Sequence, residues 1–227
     1  RAGMQPSVSL VYNSRGGNGL VGVGWSVTGA SSITRCRRRS AMAGRISDSV
    51  QFSLTDRLCL DGQLLVLVPG TGTYGGLNSE YRTEVDSFTK IVITGYEAIV
   101  GFPPDPTTFE VRYRDGRIGT YTRQISPRLG LYADGTLAHT ENRPLRWTLD
   151  TLRDRSGNGM KYTYTTSATT DGMPILDKIE YTTCLTTPCQ YPSSRRRKVQ
   201  FTYEARAASD TLEGFVRGVR TVIGKGL

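Results

Sequence analysis

A nucleophile–base–acid triad needs a histidine, and this chain has one, His139, in the run Leu137-Ala138-His139-Thr140-Glu141. Asp134 and a serine could complete the set. No Gly-x-Ser-x-Gly elbow presents such a serine, however, and the polar neighbours of His139 read as a surface loop or strand edge. Glu80 and Glu84 flank Tyr81-Arg82-Thr83. On a strand both would face the same way, the arrangement that lets two carboxyls divide acid and base work. With Arg82 between them, the plainer reading is charge balance on a solvated strand face. Gly17-Asn18-Gly19-Leu20-Val21-Gly22 fits the letters of a phosphate-binding GxGxxG loop. That chemistry requires a helix immediately after the loop, so that its N-terminal N–H groups meet the anion. The segment after Gly22 is β-patterned, so these glycines read as a β corner. Of four cysteines, Cys36, Cys59, Cys184 and Cys189, only the last two are close in sequence. A four-cysteine zinc site wants two close pairs. A Cys184–Cys189 disulfide closing a Pro188-containing loop fits the spacing, although four cysteines allow three pairings and buried thiols are also common. No acidic calcium loop occurs. Neither a catalytic set nor a cofactor or metal site is expected.

The formal charge is +9, carried in part by two clusters, Arg35-Cys36-Arg37-Arg38-Arg39 and Arg195-Arg196-Arg197-Lys198. Such clusters could meet nucleic acid, an acidic protein or an anionic membrane surface. Aromatic residues do not interleave with them, as single-strand binding would require, which argues against nucleic acid. No apolar run approaches the roughly 20 residues that span a bilayer as a helix. The chain has no leader pattern and no methionine at position 1, and it ends on what reads as a strand just beginning. A piece of a longer chain is expected.

The elements that must position these residues are strands. Asx-Gly turn signals recur at Asn18-Gly19, Asp61-Gly62, Asp115-Gly116, Asp134-Gly135, Asn158-Gly159 and Asp171-Gly172. Between them lie short β-patterned runs. Leu64-Leu65-Val66-Leu67-Val68 is apolar throughout and should be covered on both faces. Leu145, Trp147 and Leu149 share one face, and Met160-Lys161-Tyr162-Thr163-Tyr164 and Val199-Gln200-Phe201-Thr202-Tyr203 alternate. Trp25, Trp147, Tyr162, Tyr164, Phe201 and Tyr203 are expected to carry packing, and Gly17, Asn18, Gly19, Gly22 and Gly24 to shape the corner around Trp25. A short helix is expected near 205–215. Pro69–Leu77 and 182–194 read as loops. The proline-rich 101–106 should lie outside any central strand and mark a boundary near residue 104, between segments 1–104 and 105–227. The fold class is therefore all-β: many short antiparallel strands and hairpins in a curved sheet or part of a β shell, with little helix.

Two segments share a form, an aspartate, a glycine turn and a returning tyrosine. They are Tyr113-Arg114-Asp115-Gly116-Arg117 with Tyr121, and Asp154-Arg155-Ser156-Gly157-Asn158 with Tyr162 and Tyr164. They resemble the tyrosine–aspartate repeats of Rhs proteins, which stack hairpins into a long curved sheet. The opening blocks Tyr12-Asn13-Ser14, Gly17-Asn18-Gly19, Gly22-Val23-Gly24-Trp25-Ser26 and Ser31-Ser32-Ile33 resemble the N-terminal signature of the SpvB / toxin-complex B family. The likeness continues through Asp56–Gln63, Tyr81–Phe88, Trp147–Tyr164 and Phe201–Arg206, with a looser stretch at 205–214.

The resemblance implies a non-enzymatic, structural segment of a secreted bacterial toxin. In toxin-complex B proteins the similar region begins a β shell that, with a partner's Rhs repeats, encloses a cytotoxic segment until delivery. In SpvB the similar region precedes an actin ADP-ribosyltransferase domain, whose expected Glu-x-Glu step is missing here. The implied partners are the rest of the chain, a toxin-complex C-like Rhs subunit and the enclosed effector.

Overall fold

The computed structural model describes residues 3–37, 49–53, 55–99, 102–123, 128–131, 137–141, 143–165, 174–185, 196–217 and 219–227. They form strands almost throughout, as the Asx-Gly punctuation and alternating runs require. The chain divides into two compact units, one of residues 31–124 and 143–157, the other of 1–30, 125–142 and 158–227. The expected boundary at residue 104 instead falls inside a strand.

The first unit is a closed barrel of eight antiparallel strands. In chain order they are β5 (Ser32–Cys36), β6 (Arg57–Leu60), β7 (Gln63–Leu67), β8 (Glu80–Thr83), β9 (Lys90–Ile99), β10 (Phe102–Arg112), β11 (Ile118–Arg123) and β14 (Arg146–Arg153). Each pairs with the next, and β14 pairs with both β11 and β5, so no free edge remains in the ring. Period-two alternation fills the interior. Ile33, Tyr81, Ile91, Ile93, Phe109, Val111, Tyr121 and Trp147 are all fully buried. The Phe109 and Trp147 rings meet edge to face at 5.2 Å.

Asp61-Gly62 makes the two-residue reversal between β6 and β7, both residues at positive φ, with Leu60 opposite Gln63. In β7, Leu64 and Leu65, on opposite faces, are both buried, but Val66 is 39% exposed, so the run is covered on both faces only at its start. The proline-rich segment is not outside the sheet. It opens β10, where register shifts interrupt the ladder to β9 and where pairing to β11 has not begun. Prolines that cannot donate are tolerated at such bulged, singly paired positions.

The second unit holds small sheets. β1 (Leu10–Tyr12) pairs with β4 (Trp25–Val27), and β2 (Asn18–Gly19) with β3 (Gly22–Val23). β12 (Arg128–Leu131) lies between β13 (Leu137–Glu141) and β20 (Val219–Ile223), and β20 pairs with β19 (Leu212–Val216). β15 (Asn158–Thr165), β16 (Ile175–Cys184) and β17 (Arg197–Gln200) are consecutive neighbours, and β18 (Glu204–Ala205) pairs with β21 (Lys225–Gly226). The helix expected near 205–215 is absent: β18, a single 3-10 turn at Ala208–Asp210 and β19 occupy that stretch.

Asn18-Gly19 is not a turn either. It is strand β2, the reversal is Leu20-Val21, and the positive φ angles fall at Gly22 and Gly24. Asn158-Gly159 likewise lies in β15, after a turn that ends on positive-φ Gly157. No helix of the described residues is long and apolar enough to cross a membrane.

Candidate functional site

The two ends of the barrel differ. One is sealed by buried charge. Arg35, the inward residue near the end of β5, directs its guanidinium to Asp105 Oδ1 at 2.7 Å, Asp56 Oδ2 at 3.4 Å, the Ser53 carbonyl at 2.9 Å and the Pro144 carbonyl at 2.8 Å. Arg143 donates to both Asp105 oxygens, at 2.8 and 3.1 Å, and to the Phe52 carbonyl. The carboxylate of Asp105 is wholly buried, and the side chains of Asp56, Arg35 and Arg143 are 4–5% exposed. Among the described residues two cations and two anions balance, and each of the four has partners, the condition under which such a cluster is tolerated. Trp147 lies beside it, its Nε1 donating to the Pro106 carbonyl at 2.8 Å and its ring 5.6 Å from Arg35 Cζ. Arg35 is thus withdrawn from the basic surface cluster expected at 35–39. Arg37 is exposed, and Arg38 and Arg39 lie outside the described residues.

Next to this end, Tyr74 from the glycine-rich β7–β8 loop accepts from the Leu58 N–H at 2.7 Å and donates to the Leu65 carbonyl at 3.2 Å. Burial pushes its hydroxyl up to about 12. Cys36 and Cys59 are joined by a disulfide with Cα atoms 6.0 Å apart. Cys184 closes β16; its expected partner Cys189 lies outside the described residues.

The opposite end is an open cleft of about 720 Å³, lined among others by Asp61, Val85, Ser87, Tyr113, Arg114 and Arg117. A hydroxyl relay runs beneath one wall. Asp61 accepts from Ser31 Oγ at 2.6 Å, which sits 2.7 Å from the Tyr121 hydroxyl, itself 2.5 Å from that of Tyr113. Desolvation drives the Tyr121 hydroxyl well above its usual range and raises Tyr113 as well. Glu80 is bound to Lys90 and, at 2.7 Å, to Arg82. The Lys90 hydrogen bond holds its carboxyl below the usual range, so Glu80 serves charge balance. His139 pairs through its backbone with Gly130 in β13, as a strand residue.

In the second unit the opening glycines make a corner tied by a residue that sequence reasoning passed over. Arg206 donates to the Gly19 carbonyl and, at 3.3 Å, to that of Asp210, and its Nη1 lies 3.4 Å from Asn18 Oδ1. Asn18 Nδ2 donates to Asp210 Oδ1 at 2.9 Å, and the Leu227 N–H reaches the Leu20 carbonyl at 2.7 Å. The only signal was a single arginine in a loose stretch, with nothing local to mark a partner so far away in sequence. No helix succeeds Gly22; the next element is β4, so the GxGxxG letters are a hairpin.

Trp25 is 42% exposed, resting on Tyr12 with ring centroids 5.2 Å apart, rather than in a core. Tyr162 and Phe201 are buried, and the Tyr203 hydroxyl donates to the Leu176 carbonyl at 2.5 Å and is pushed up to about 12 by burial. Tyr164 is half-buried on β15, and Arg196, Arg197 and Lys198 are exposed. Among the described residues no group of three or more His, Cys, Asp or Glu is placed to hold a metal ion.

The family model described as SpvB, Salmonella virulence plasmid 65kDa B protein, matches residues 1–195. The chain belongs to the SpvB family. Its fold is similar to the N-terminal domain of the effector protein SpvB from Salmonella typhimurium strain LT2, with TM-score 0.66 and 18% identity over 99% of this chain and 81% of that one. It is also similar to a chain of the TcdB2-TccC3-Cdc42 crystal structure (TM-score 0.65, 16% identity, 97% of this chain) and of the Photorhabdus luminescens Tc holotoxin pore (TM-score 0.64, 17% identity, 97%). The SpvB-family chain spans only 12% of each of those two toxin chains. No curated protein matches it in sequence.

Proposed function

We propose that this chain is a non-enzymatic structural segment of a secreted bacterial toxin of the SpvB / toxin-complex B type. It contributes to a β shell that encloses a cytotoxic effector and helps deliver it. The observation that carries the reading is the fold shared, over nearly the whole chain, with chains of TcdB2-TccC3 assemblies. The barrel suits a wall element. Its ring has no free edge, its interior is filled with side chains, and one end is braced by a neutralised charge cluster. The partners would be the remainder of its own chain, a toxin-complex C-like Rhs subunit and the enclosed segment.

Limited proteolysis of the full-length protein, co-expressed with its Rhs-type partner and read by intact mass, tests this. A C-terminal segment cut from the wall yet retained and protease-resistant is the expected result. Digestion of every segment as an independent domain would overturn it. The exposed Arg196, Arg197 and Lys198 favour a second reading, a surface for an anionic partner, which a steep fall of affinity with salt would support.

A further inference from the structure

The β8–β9 loop, residues 84–89, stands at the open end of the barrel and shows two apolar side chains to solvent: Val85 is 69% and Phe88 66% exposed. Hydrogen bonds fix them there. Thr83 Oγ1 donates to the Val85 carbonyl at 2.7 Å and accepts from the Ser87 N–H at 3.2 Å, and the Phe88 N–H donates to Asp86 Oδ1 at 2.8 Å. Phe88 itself holds φ +56°, a conformation unfavourable for a bulky residue. The loop thus keeps an aromatic ring outward against a backbone cost, beside the cleft of about 720 Å³ whose apolar lining includes Leu60 and Val85.

The polar groups around this end are unequal. Asp61, Asp86, Asp115 and Asp154 each already accept a backbone N–H, from Ser32, Phe88, Arg117 and Ser156, at 2.8 to 3.0 Å. Arg117 is bound to Asp115 at 2.6 Å. The guanidinium groups of Arg114 and Arg155 have neither hydrogen bond nor ion pair among the described residues. Arg114 Cζ lies 5.3 Å from the centre of the Phe88 ring. The Arg155 guanidinium rests against Gly116, where an added Cβ would meet its Nε at 2.4 Å. Pairing of β11 with β14, Ile118 opposite Arg153, brings the two aspartate–glycine turns to the same end. Arg114, Arg117 and Arg155 stand against those four carboxylates, a local sum of about −1. Such a field does not gather a polyanion. A single carboxylate is instead recognised at contact, by an unpaired guanidinium fork beside an apolar surface.

We propose that this end of the barrel docks a protein segment in which one carboxylate side chain adjoins an apolar one. The carboxylate takes the open N–H groups of Arg114, whose guanidinium the Phe88 ring backs. The apolar neighbour lies on Phe88 and Val85 and reaches into the cleft. Arginine and aromatic side chains beside an apolar patch are the composition that anchors protein interfaces. The site lies wholly within the unit of residues 31–124 and 143–157, and it does not depend on enclosure of an effector.

The test uses the full-length protein carrying this chain and the photoreactive peptide acetyl-Leu-Glu-benzoylphenylalanine amide, beside its Gln counterpart, with adducts mapped by peptide mass spectrometry. Adducts are expected within 83–89 and 113–117, half-maximal at a concentration about fivefold lower for the Glu peptide, the preference one exposed ion pair supplies. Arg114→Gln should erase that preference. Phe88→Asn should weaken both peptides, and asparagine suits the positive φ. The Glu–Gln comparison in the unaltered protein needs neither variant to fold. Adducts at 196–198, equal half-maximal concentrations for the two peptides, or an unchanged preference in folded Arg114→Gln would overturn the site. Stronger competition by an oligothymidylate than by acetyl-Leu-Glu-Phe amide would overturn a protein segment as its occupant.

Discussion

Replacing Asp105 by Asn removes the anion shared by two buried guanidinium groups while keeping the side chain's size. In the native barrel the carboxylate accepts three N–H bonds, from Arg35 at 2.7 Å and from Arg143 at 2.8 and 3.1 Å, and none of the three side chains is more than 5% exposed. Among the described residues the variant leaves Arg35 and Arg143 with Asp56 as their one carboxylate, a net charge of about +1 held in a dry site, and turns an amide NH2 toward donors. Removing one partner of a buried ionic cluster costs about 3–5 kcal/mol. With a urea m-value of about 2 kcal/mol/M, the unfolding midpoint should fall by roughly 2 M. Asp115→Asn is the internal control. Asp115 pairs with Arg117 at 2.6 Å, but both side chains are about half exposed, and such pairs are worth less than about 1 kcal/mol. Adding Arg143→Gln to Asp105→Asn should recover part of the loss, because it removes a stranded cation. Equal midpoints for Asp105→Asn and Asp115→Asn would refute the electrostatic account of the barrel end.

Trp147→Ala should destabilise by about 3–5 kcal/mol, and the half-exposed Trp25→Ala by roughly 1 kcal/mol; equal losses in urea titrations would contradict their placement. Gly24→Ala should cost more than about 1 kcal/mol in the same assay, since its Cβ would sit 2.7 Å from the Tyr12 ring and 2.9 Å from the Asn13 carbonyl, at φ +78°. Arg206→Met should raise exchange at the Leu227 amide, which is bonded to the Leu20 carbonyl, without touching the barrel. Alkaline pH gives a signed prediction. Unfolded tyrosine ionises at about 10, whereas burial places Tyr74 and Tyr203 at about 12 and holds Tyr121 well above its usual range. The stability these hydroxyls contribute is complete below the unfolded value and is lost as pH rises from 10 through 12. Absorbance at the phenolate band should therefore rise for these groups together with unfolding, and Tyr74→Phe should narrow that loss.

The strand content, the turn at Asp61-Gly62, the glycine-rich β7–β8 loop and the inward face of Trp147 and Leu149 were legible because each is a local matter of φ and period-two burial. The turn at Asn18-Gly19 was misread because Gly22 and Gly24, a few residues on, satisfy the same need for positive φ. The helix near 205–215 was misread because a short polar–apolar run carries no strong period, and pairing with β20 and β21 decided it.

The sequence by itself determined an all-β chain of the SpvB family, through ordered blocks of glycine, aspartate and tyrosine that set turns and alternate faces. Tertiary structure alone decided that β14 returns to pair with β5 and close a ring, because nothing local to residues 146–148 specifies a partner at 32–34. It also turned Arg35 from a surface cation into a buried one. A basic run looks the same whether its residues face water or, on alternate strand positions, a carboxylate 70 residues further along the chain. The disulfide obeyed the same logic: Cys36 and Cys59 meet only because β5 and β6 are neighbours in the barrel.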